Sequence, residues 1–518
     1  MAIRRSSLAV VQATPGVRAT LPRRHGEGRY PRWVNPHWAV PVLLAAQAAG
    51  ATSYPVGPTR AYSSPCALVS QVGLLPGDVV EVDPGTYVDA CQLTASGTAA
   101  APIVLRGLPG PMPVFDATGV DLSGVGSIPR AIFQFTGGSY WVVQHLELKN
   151  ASNSSSNGAA FRATAGSHDI LIEDVSVHDC QDGFMSDGAA TVTIQASDVF
   201  HNGAGDGYSH NLYMQGDATT LVGNHIHDSA GGQNVKLRSR FAAVLYNRIE
   251  NAGNYEIDLI QGPSTSQPDA NAVLIGNVVI RPTSSGNDSQ VILFGTDDAT
   301  QAARDGSLYA VNNTFLLQNS SNRLLHANVP AAGSQIVFDN NLVYATVAGT
   351  ALTADATTGS ILVGSNNWIA SDVATAGSLT RTVSGSDPGL VSTTDVHLRP
   401  GSPAIDRGLD DPTYVDGAGA VQSAVPTAEF SSPEGTTPRP SDGSLDIGAY
   451  ELAPADGGSD GGVPDAGGGA PDGGPITPDG GQGDSAAVAG SCGCTEAGGP
   501  LLPALVLVAA WLRTSRRR

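Results

Sequence analysis

Apolar and polar residues alternate in short runs through the middle of the chain, and each run ends near asparagine, aspartate or glycine. The segments "DILIEDVSVHDC", "TTLVGNHIHDS", "AAVLYNRIENA" and "LYAVNNTFLLQ" share an apolar–x–Asn/Asp–x–apolar centre. No helical periodicity extends beyond about a dozen residues, whereas β-branched alternation bounded by turn residues indicates short strands.

Successive copies of this pattern are marked by asparagines, which are separated by 23, 30, 36, 28 and 26 residues. They are Asn224, Asn247, Asn277, Asn313, Asn341 and Asn367. A period of this size without a helix signal predicts an all-β solenoid, a parallel β-helix whose coils stack short strands into parallel sheets. Asparagine tolerates left-handed backbone and hydrogen-bonds the backbone at turns, so we assign these residues a structural role.

A second strand recurs in each coil, as "SHNLYMQG" (209–216), "GQNVKLRS" (232–239), "NYEIDLIQ" (254–261) and "DSQVILFG" (288–295). Alternation along a strand predicts which positions face the core. The inward columns are Leu212, Val235, Ile257 and Val291, and Met214, Leu237, Leu259 and Leu293. The outward columns are Asn211, Asn234, Glu256 and Gln290; Tyr213, Lys236, Asp258 and Ile292; and Gln215, Arg238 and Ile260.

The outward columns concentrate titratable and aromatic side chains, including Lys236, one of only two lysines in the chain. His225 and His227 lie on the preceding strand of the same coil as Lys236. The predicted catalytic residues are Lys236, Tyr213, Arg238 and His210, and the predicted substrate-binding residues are Asn211, Asn234, Arg240, Glu256 and Asp258. The alternative is that Lys236 and Asp258 form only a cross-strand ion pair on a solvated face.

The net charge and the cysteine positions exclude some partners and some kinds of metal site. The 518 residues carry a formal charge of −20, which argues against a nucleic-acid partner because nucleic-acid backbone is bound by basic patches. Cys66 and Cys91 flank the start of the predicted fold, and both a disulfide and two buried thiols are open alternatives. A cysteine–histidine metal site would need a tighter cluster of these residues than the sequence contains.

Both ends of the chain carry processing signals. Residues 1–51 form an arginine-rich leader and a secretory signal, followed by the β-helix at 52–386 and its C-terminal coils and cap at 387–453. Residues 454–490 form a Gly/Asp/Pro-rich spacer that cannot bury enough apolar surface to fold. Residues 491–518 contain "SCGC", an apolar run too short for a stable membrane span and a terminal arginine cluster. We therefore expect an exported monomer.

The segment "LPGDVVEVDPGTYVDACQLTASGTAAAPIVLRG" (75–107) resembles the opening coils of right-handed β-helix polysaccharide lyases of the chondroitinase B and alginate lyase type. The resemblance implies a right-handed parallel β-helix, with "SSPCALVSQVGL" as a short N-terminal capping helix. The segment 387–452 resembles the closing module of secreted β-helix proteins. The last residues resemble C-terminal sorting tails of myxobacterial surface proteins, which implies that the tail engages the membrane and sorting machinery and that the mature protein reaches the cell surface or the medium.

In those lyases a lysine on such a strand is the base, an arginine one turn later assists, and nearby acidic residues hold Ca²⁺. Lys236 in "NVKLRS" is similar to that lysine, but Asp258 stands near the expected arginine. Ser229, Gly231 and Gln233 stand where the acidic residues are expected. No cofactor is therefore assigned from the sequence, and Ca²⁺ held by Glu256 and Asp258 is left open as a metal site.

The leading interpretation is a polysaccharide-active protein, a lyase that cleaves a uronic-acid polysaccharide by β-elimination. Asp258 and Glu256 oppose the lowered pKa that Lys236 would need as a base, so Tyr213 and His210 are rivals for that role. A glycoside hydrolase is an alternative, because Glu256 and Asp258 are two positions apart on one strand, about 6.5–7 Å. A carbohydrate-binding surface protein or adhesin without catalysis is the other alternative.

Overall fold

The computed structural model describes residues 50–453, apart from residues 165, 286–289, 299, 320, 321 and 354. The predicted leader up to residue 49, the predicted spacer and the predicted sorting tail lie outside the described residues. Within the described residues two short helices are present, α1 (Pro65–Val69) and α2 (Ala356–Ile361). No helix in the described part of the chain is both long and apolar enough to cross a membrane.

Short strands make up most of the ordered structure. The strands up to residue 200 are β1 (Ser53–Val56), β2 (Val79–Val82), β3 (Thr86–Tyr87), β4 (Cys91–Leu93), β5 (Ile103–Gly107), β6 (Val114–Asp116), β7 (Ala131–Phe135), β8 (Trp141–Lys149), β9 (Ala159–Thr164), β10 (Ile170–His178), β11 (Asp182–Asp187), β12 (Ala189–Gln195) and β13 (Asp198–Phe200).

The next strands continue the same pattern. They are β14 (Leu212–Val222), β15 (His225–His227), β16 (Val235–Leu245), β17 (Arg248–Glu250), β18 (Ile257–Ile260), β19 (Ala272–Ile275), β20 (Val278–Arg281), β21 (Gln290–Gly295), β22 (Leu308–Val311), β23 (Thr314–Leu317), β24 (Arg323–Asn328), β25 (Ile336–Asp339), β26 (Leu342–Ala345), β27 (Leu362–Ser365), β28 (Trp368–Ala370), β29 (Ser378–Thr380) and β30 (Val383–Gly385).

These strands pair in parallel and form three sheets along a parallel β-helix, as predicted. Sheet A contains β4, β7, β9, β11, the first halves of β14 and β16, β18, β21 and β24. Sheet B contains β1, β2, β5, the first halves of β8 and β10, β12, the second halves of β14 and β16, β19, β22, β25, β27 and β29. Sheet C contains β3, β6, the second halves of β8 and β10, β13, β15, β17, β20, β23, β26, β28 and β30.

The turn between sheets B and C is held by the recurring asparagines, and their predicted structural role is confirmed. Each is fully buried, and its amide nitrogen donates to the amide oxygen of the next one at 2.9–3.3 Å, from Asn224 to Asn367. The left-handed residue is the one before each asparagine, such as Tyr246 at φ 57° and Asn312 at φ 52°. The side-chain amide of each asparagine therefore supplies hydrogen bonds at the sharp turn, and the residue before it adopts the left-handed backbone.

Apolar columns fill the interior. The predicted inward residues Leu212, Met214, Val235 and Leu237 are buried, and aromatic rings pack on one another in the earlier coils. Phe115 and Phe133 meet edge to face with centroids 4.8 Å apart, and Phe161 and Phe184 stack with centroids 5.3 Å apart. Such contacts bury large side chains on successive coils, so each coil stabilises its neighbours.

One predicted register is wrong by a single residue. Ile257 pairs with Ile292 rather than with Val291, so Asp258 pairs with Leu293. The run Val291–Phe294 is apolar at every position and entirely buried, so it lacks the alternation that specifies a register.

The N-terminal helix α1 forms where the sequence predicts it, and its capping role stays a prediction. The hydroxyl of Ser64 accepts a hydrogen bond from the backbone N–H of Ala67, and Pro65 occupies the first turn. Cys66 and Cys91 form a disulfide with Cα atoms 5.4 Å apart, which resolves the choice between a bridge and two thiols.

The C-terminal segment 387–453, predicted as coils and a cap, contains antiparallel strands. It forms two antiparallel hairpins, β31 (Thr413–Val415) with β32 (Val421–Ser423), and β33 (Ala428–Phe430) with β34 (Thr436–Pro438). These hairpins pack against the side of the β-helix, where Gly435 donates its N–H to the carbonyl of Gly223 at 2.7 Å.

The asparagine ladder yields a stability prediction. Asn277→Ala removes donors to the carbonyl of Val244 and the amide oxygen of Asn313, and leaves Asn247 without its acceptor. We expect the free energy of unfolding to fall by about 3 kcal/mol, because buried polar partners are left unsatisfied. Urea denaturation followed by circular dichroism checks this, with the exposed Gln267→Ala as the control. Equal stability of the two variants would contradict a stabilising ladder.

Candidate active site

The predicted site lies on the outer face of sheet A, where β14, β16 and β18 are neighbours. The register places Tyr213 beside Lys236 and Lys236 beside Asp258, as predicted. Two loops between sheets A and B, residues 261–271 and 296–307 without residue 299, contact β16 through Gln261 and Asp297. The site is therefore built from rigid sheet and from loops anchored on both sides.

Three predicted substrate-binding residues are not on this face. Asn211, Asn234 and Glu256 are fully buried in the turn between sheets C and A. The amide of Asn211 donates to Asn234 at 2.8 Å, and the amide of Asn234 donates to Glu256 at 2.7 Å. The prediction that they point outward is wrong, because the strand alternation begins only after this turn.

Glu256 is occupied by structural bonds. It pairs with the buried guanidinium of Arg281 at 3.1 Å and accepts the N–H of Ala252 at 3.0 Å. Burial raises the pKa of Glu256 to about 7, although the charge of Arg281 opposes the shift. These contacts do not favour the metal site that pairs Glu256 with Asp258.

Lys236 is held as an ammonium group. Its Nζ atom lies 3.0 Å from Asp297 Oδ2 and 3.4 Å from Asp258 Oδ2, and only 9% of the residue is exposed. Burial lowers the pKa of Lys236, but the charges of Asp258 and Asp297 raise it more, so the net shift is upward. This environment opposes the role of base that the family resemblance implies for Lys236.

Tyr213 and Arg238 form a half-buried pair beside Lys236. An Arg238 guanidinium nitrogen donates to the phenol oxygen of Tyr213 at 2.5 Å, and Arg238 Nε donates to the carbonyl of Gln261 at 2.5 Å. Lys236 Nζ lies 5.9 Å from the centroid of the Tyr213 ring. Two cations therefore flank one partly exposed phenol.

The ring of His210 stacks against the ring of Tyr213. The two rings are nearly parallel, with centroids 5.6 Å apart, and His210 is 1% exposed. Its Nδ1 accepts the backbone N–H of Gln233, so the neutral ring carries its proton on Nε2. Burial and then the charge of Lys236 lower the pKa of His210 to about 3. A buried, neutral ring positions Tyr213 and is poorly placed to meet a substrate.

Asp258 is the buried carboxyl of the site. Its Oδ2 atom accepts from Gln233 Nε2 at 3.3 Å and faces Lys236, while Oδ1 is buried without a hydrogen-bond partner in the described residues. Burial raises the pKa of Asp258 to about 6 against the charge of Lys236. Asp258 is not exposed, so its predicted contact with substrate would require movement.

The loops 261–271 and 296–307 contribute site residues that were not predicted from the sequence. Asp297 binds Lys236, and Gln261 donates to Asp297 at 2.6 Å. The gaps of 30 and 36 residues between successive asparagines were the available signal, because the extra residues must lie in loops. The spacing does not show where their side chains lie.

Arg304 anchors both loops. Its buried guanidinium donates to the carbonyls of Ala270 at 2.8 Å, Arg240 at 2.9 Å and Asn271 at 3.2 Å. Arg240 itself extends to the loop and donates to the carbonyl of Pro268 at 3.3 Å. Arg240 therefore helps to hold the loop 261–271 in place, and its predicted contact with substrate stays a prediction.

With the fold and site described, similar proteins can be compared. No protein-family model matches the chain, and no curated protein matches it by sequence. The crystal structure of pectate lyase Pel9A is 16% identical, covers 78% of this chain and 98% of its own, and has a TM-score of 0.51. XylC in complex with xylose is 10% identical over 77% of this chain and 98% of its own, with a TM-score of 0.45. A rhamnogalacturonan lyase is 15% identical over 61% of this chain and 87% of its own, with a TM-score of 0.39. The similarity to the pectate lyase confirms the parallel β-helix fold.

The carboxyl of Asp182 accepts a hydrogen bond from the backbone N–H of His210 at 2.9 Å. We predict that this carboxyl makes the stability of the protein depend on pH. Burial raises its pKa from 3.8 to about 8, so the folded protein holds a proton that the unfolded chain releases. This contribution to stability is present at low pH and is lost as the pH rises through that interval. We expect Asp182→Asn to gain about 4 °C or more in melting temperature relative to the unsubstituted protein between pH 4 and 8.

Thermal unfolding across this pH range measures the effect, with the exposed Asp217→Asn as the control. A melting-temperature difference for Asp182→Asn that does not change with pH would show that Asp182 is ionised throughout.

Proposed function

We propose that this protein is an exported polysaccharide-active enzyme that cleaves a uronic-acid polysaccharide by β-elimination. The observation that carries the proposal is the half-buried Tyr213–Arg238 pair, with the Lys236 ammonium beside it on the outer face of sheet A. The flat, rigid face of a β-helix suits an extended sugar chain, because successive strands repeat about every 4.8 Å. The pectate lyase of similar fold supports this substrate class.

β-Elimination requires removal of a weakly acidic proton beside the sugar carboxylate. In our proposal the phenol of Tyr213 first passes its own proton to water, and its oxygen then takes the proton from the sugar carbon. The electron pair of the broken C–H bond forms a carbon–carbon double bond. The bond to the glycosidic oxygen breaks, and that oxygen leaves with a proton returned by Tyr213. Arg238 donates to the phenol oxygen and stabilises negative charge on it.

Lys236 has a different role in this proposal from the base of the lyases that the sequence resembles. A lysine held by two carboxylates keeps its proton, so it supplies positive charge for the substrate carboxylate and the enolate-like intermediate. Asp258 and Asp297 fix the position of that charge. His210 orients the Tyr213 ring and does not exchange protons.

Export is part of the proposal and has structural support. The Cys66–Cys91 bridge is a type of cross-link that persists in oxidising compartments. The secretory signal and sorting tail predicted from the sequence agree with that location.

Glycoside hydrolysis is a second candidate, with Asp297 in place of Glu256 as the partner of Asp258. Asp258 and Asp297 both contact Lys236, and their environments push their pKa values apart. Burial raises that of Asp258, whereas in Asp297 the hydrogen bond from Gln261 and the charge of Lys236 outweigh burial and lower it. An acid and a base are distinguished in this way in many active sites. The burial of Asp258 is why we rank hydrolysis second.

Incubation of the protein with alginate, pectate and glycosaminoglycans tests the proposal. We expect the ultraviolet absorbance of an unsaturated uronate product with at least one polymer, and a rate about 10²–10⁴-fold lower for Tyr213→Phe. Tyr140→Phe, which removes a phenol oxygen elsewhere, is the control. New reducing ends without absorbance would replace elimination with hydrolysis, and binding without either product would favour the carbohydrate-binding alternative.

The two roles of Lys236 are separated by substitution. If its charge is what matters, Lys236→Arg retains a rate within about tenfold, whereas Lys236→Ala loses about 10²–10³-fold. Lys149→Ala is the matched control, because Lys149 is the other lysine of the chain. Initial rates are compared after circular dichroism shows that each variant is folded. If Lys236→Arg is as inactive as Lys236→Ala, positive charge alone does not account for the role of Lys236.

A further inference from the structure

A second group of titratable side chains lies on the outer face of sheet C. The strands β13, β15 and β17 pair in register, so Asp198 lies beside His225 and Phe200 lies beside His227. Ile226 points into the core between the two histidines and is fully buried. Strand alternation therefore places both imidazoles on the outer face, next to the carboxylate of the preceding coil.

Both rings direct a nitrogen at one carboxylate oxygen. His227 Nε2 lies 3.1 Å from Asp198 Oδ1, and His225 Nδ1 lies 3.6 Å from the same atom. One ligand atom from each of the three residues can be chosen so that all lie within 4.8 Å of one another. Two neutral imidazole nitrogens and a carboxylate oxygen at such spacing can bind one ion, with further coordination positions left for other ligands.

The opposite nitrogen of each ring is also held by a carboxylate. Glu250 Oε1 lies 2.9 Å from His225 Nε2, and Asp228 Oδ2 lies 2.6 Å from His227 Nδ1. Histidines that bind a metal commonly donate their second ring N–H to a carboxylate, which fixes the tautomer and the ring orientation. Both histidines therefore have the outer partners expected of metal ligands.

Stacking restricts the rings further. The two imidazoles are 4.0 Å apart between centroids, and Phe200 stacks on His227 at 5.1 Å. Phe430, at the end of β33, lies 6.3 Å from the His225 ring. The C-terminal hairpin thus borders the cluster, and the three side chains are half-buried rather than freely mobile on the surface.

We propose that Asp198, His225 and His227 form a binding site for a divalent transition-metal ion, with Zn²⁺ as the best match. Imidazole nitrogen with carboxylate oxygen suits Zn²⁺ and its first-row neighbours, whereas Ca²⁺ and Mg²⁺ prefer sites made entirely of oxygen. The site is on sheet C and the polysaccharide site is on sheet A, so the proposal does not depend on the proposed function.

Isothermal titration of the chelator-treated full chain, without a polyhistidine tag, with Zn²⁺ tests this site. We expect one saturable site that Asp198→Asn and His227→Ala weaken by at least about a hundredfold, and that Asp228→Asn weakens by about 10–100-fold. His168→Ala is the matched control, because His168 also lies beside an aspartate, Asp169, with ring and carboxylate atoms 2.8 Å apart. Co²⁺ should give a visible absorption spectrum that the Asp198 and His227 variants lose.

Several outcomes would overturn the site. One is an absence of saturable Zn²⁺ binding by the unsubstituted protein, and another is unchanged binding by Asp198→Asn and His227→Ala. Ca²⁺ or Mg²⁺ competing as well as Zn²⁺ would reject the transition-metal assignment. Circular dichroism of each variant separates loss of the site from loss of the fold.

Discussion

The stack of coils from Asn224 to Asn367 depends on buried amide hydrogen bonds that link each coil to the next. At the turn between sheets B and C the amide of Asn247 donates to Asn277, and Asn277 donates to Asn313. A two-residue turn in the interior would otherwise bury backbone groups without partners, at a cost of about 1–3 kcal/mol each. The ladder stabilises the turn and links the coils that carry Asn224 to Asn367. It also lies next to both sites along the chain, because Asn224 directly precedes His225 and Asn247 follows β16, the strand that carries Lys236.

The fold could be predicted because the ladder leaves a record in the sequence. Asparagines at intervals of 23 to 36 residues, with apolar alternation on both sides, identify the coils and the inward columns. The same logic placed Tyr213, Lys236 and Asp258 side by side. It failed at Asn211, Asn234 and Glu256, since an asparagine at a turn and a polar residue on an exposed strand look alike in sequence. It failed also at Val291–Phe294, where uniform apolarity leaves the register unspecified.

The electrostatics of the active site could be predicted only in part. The sequence indicates that carboxylates oppose a lowered pKa for Lys236, but not that Asp297 is one of them. Asp297 reaches Lys236 from a loop 61 residues further along the chain. The positions of loop side chains depend on buried anchors such as Arg304. Its partners are backbone carbonyls, which every residue type has, so these contacts cannot be recognised from the sequence. For the same reason the sequence does not reveal the C-terminal hairpins as flanking elements.

The two sites also show how one solenoid coil can serve different chemistries. His225 and His227 are on β15, and Lys236 is near the start of β16, the next strand along the chain, so the same few coils carry both groups on separate faces. On sheet A two carboxylates hold a buried lysine in its charged form, and the more accessible groups are a phenol and a guanidinium. On sheet C the carboxylates instead hold imidazoles in place. Because the rigid core between the faces is apolar, each cluster keeps its own charge balance, and a change on one face need not disturb the other.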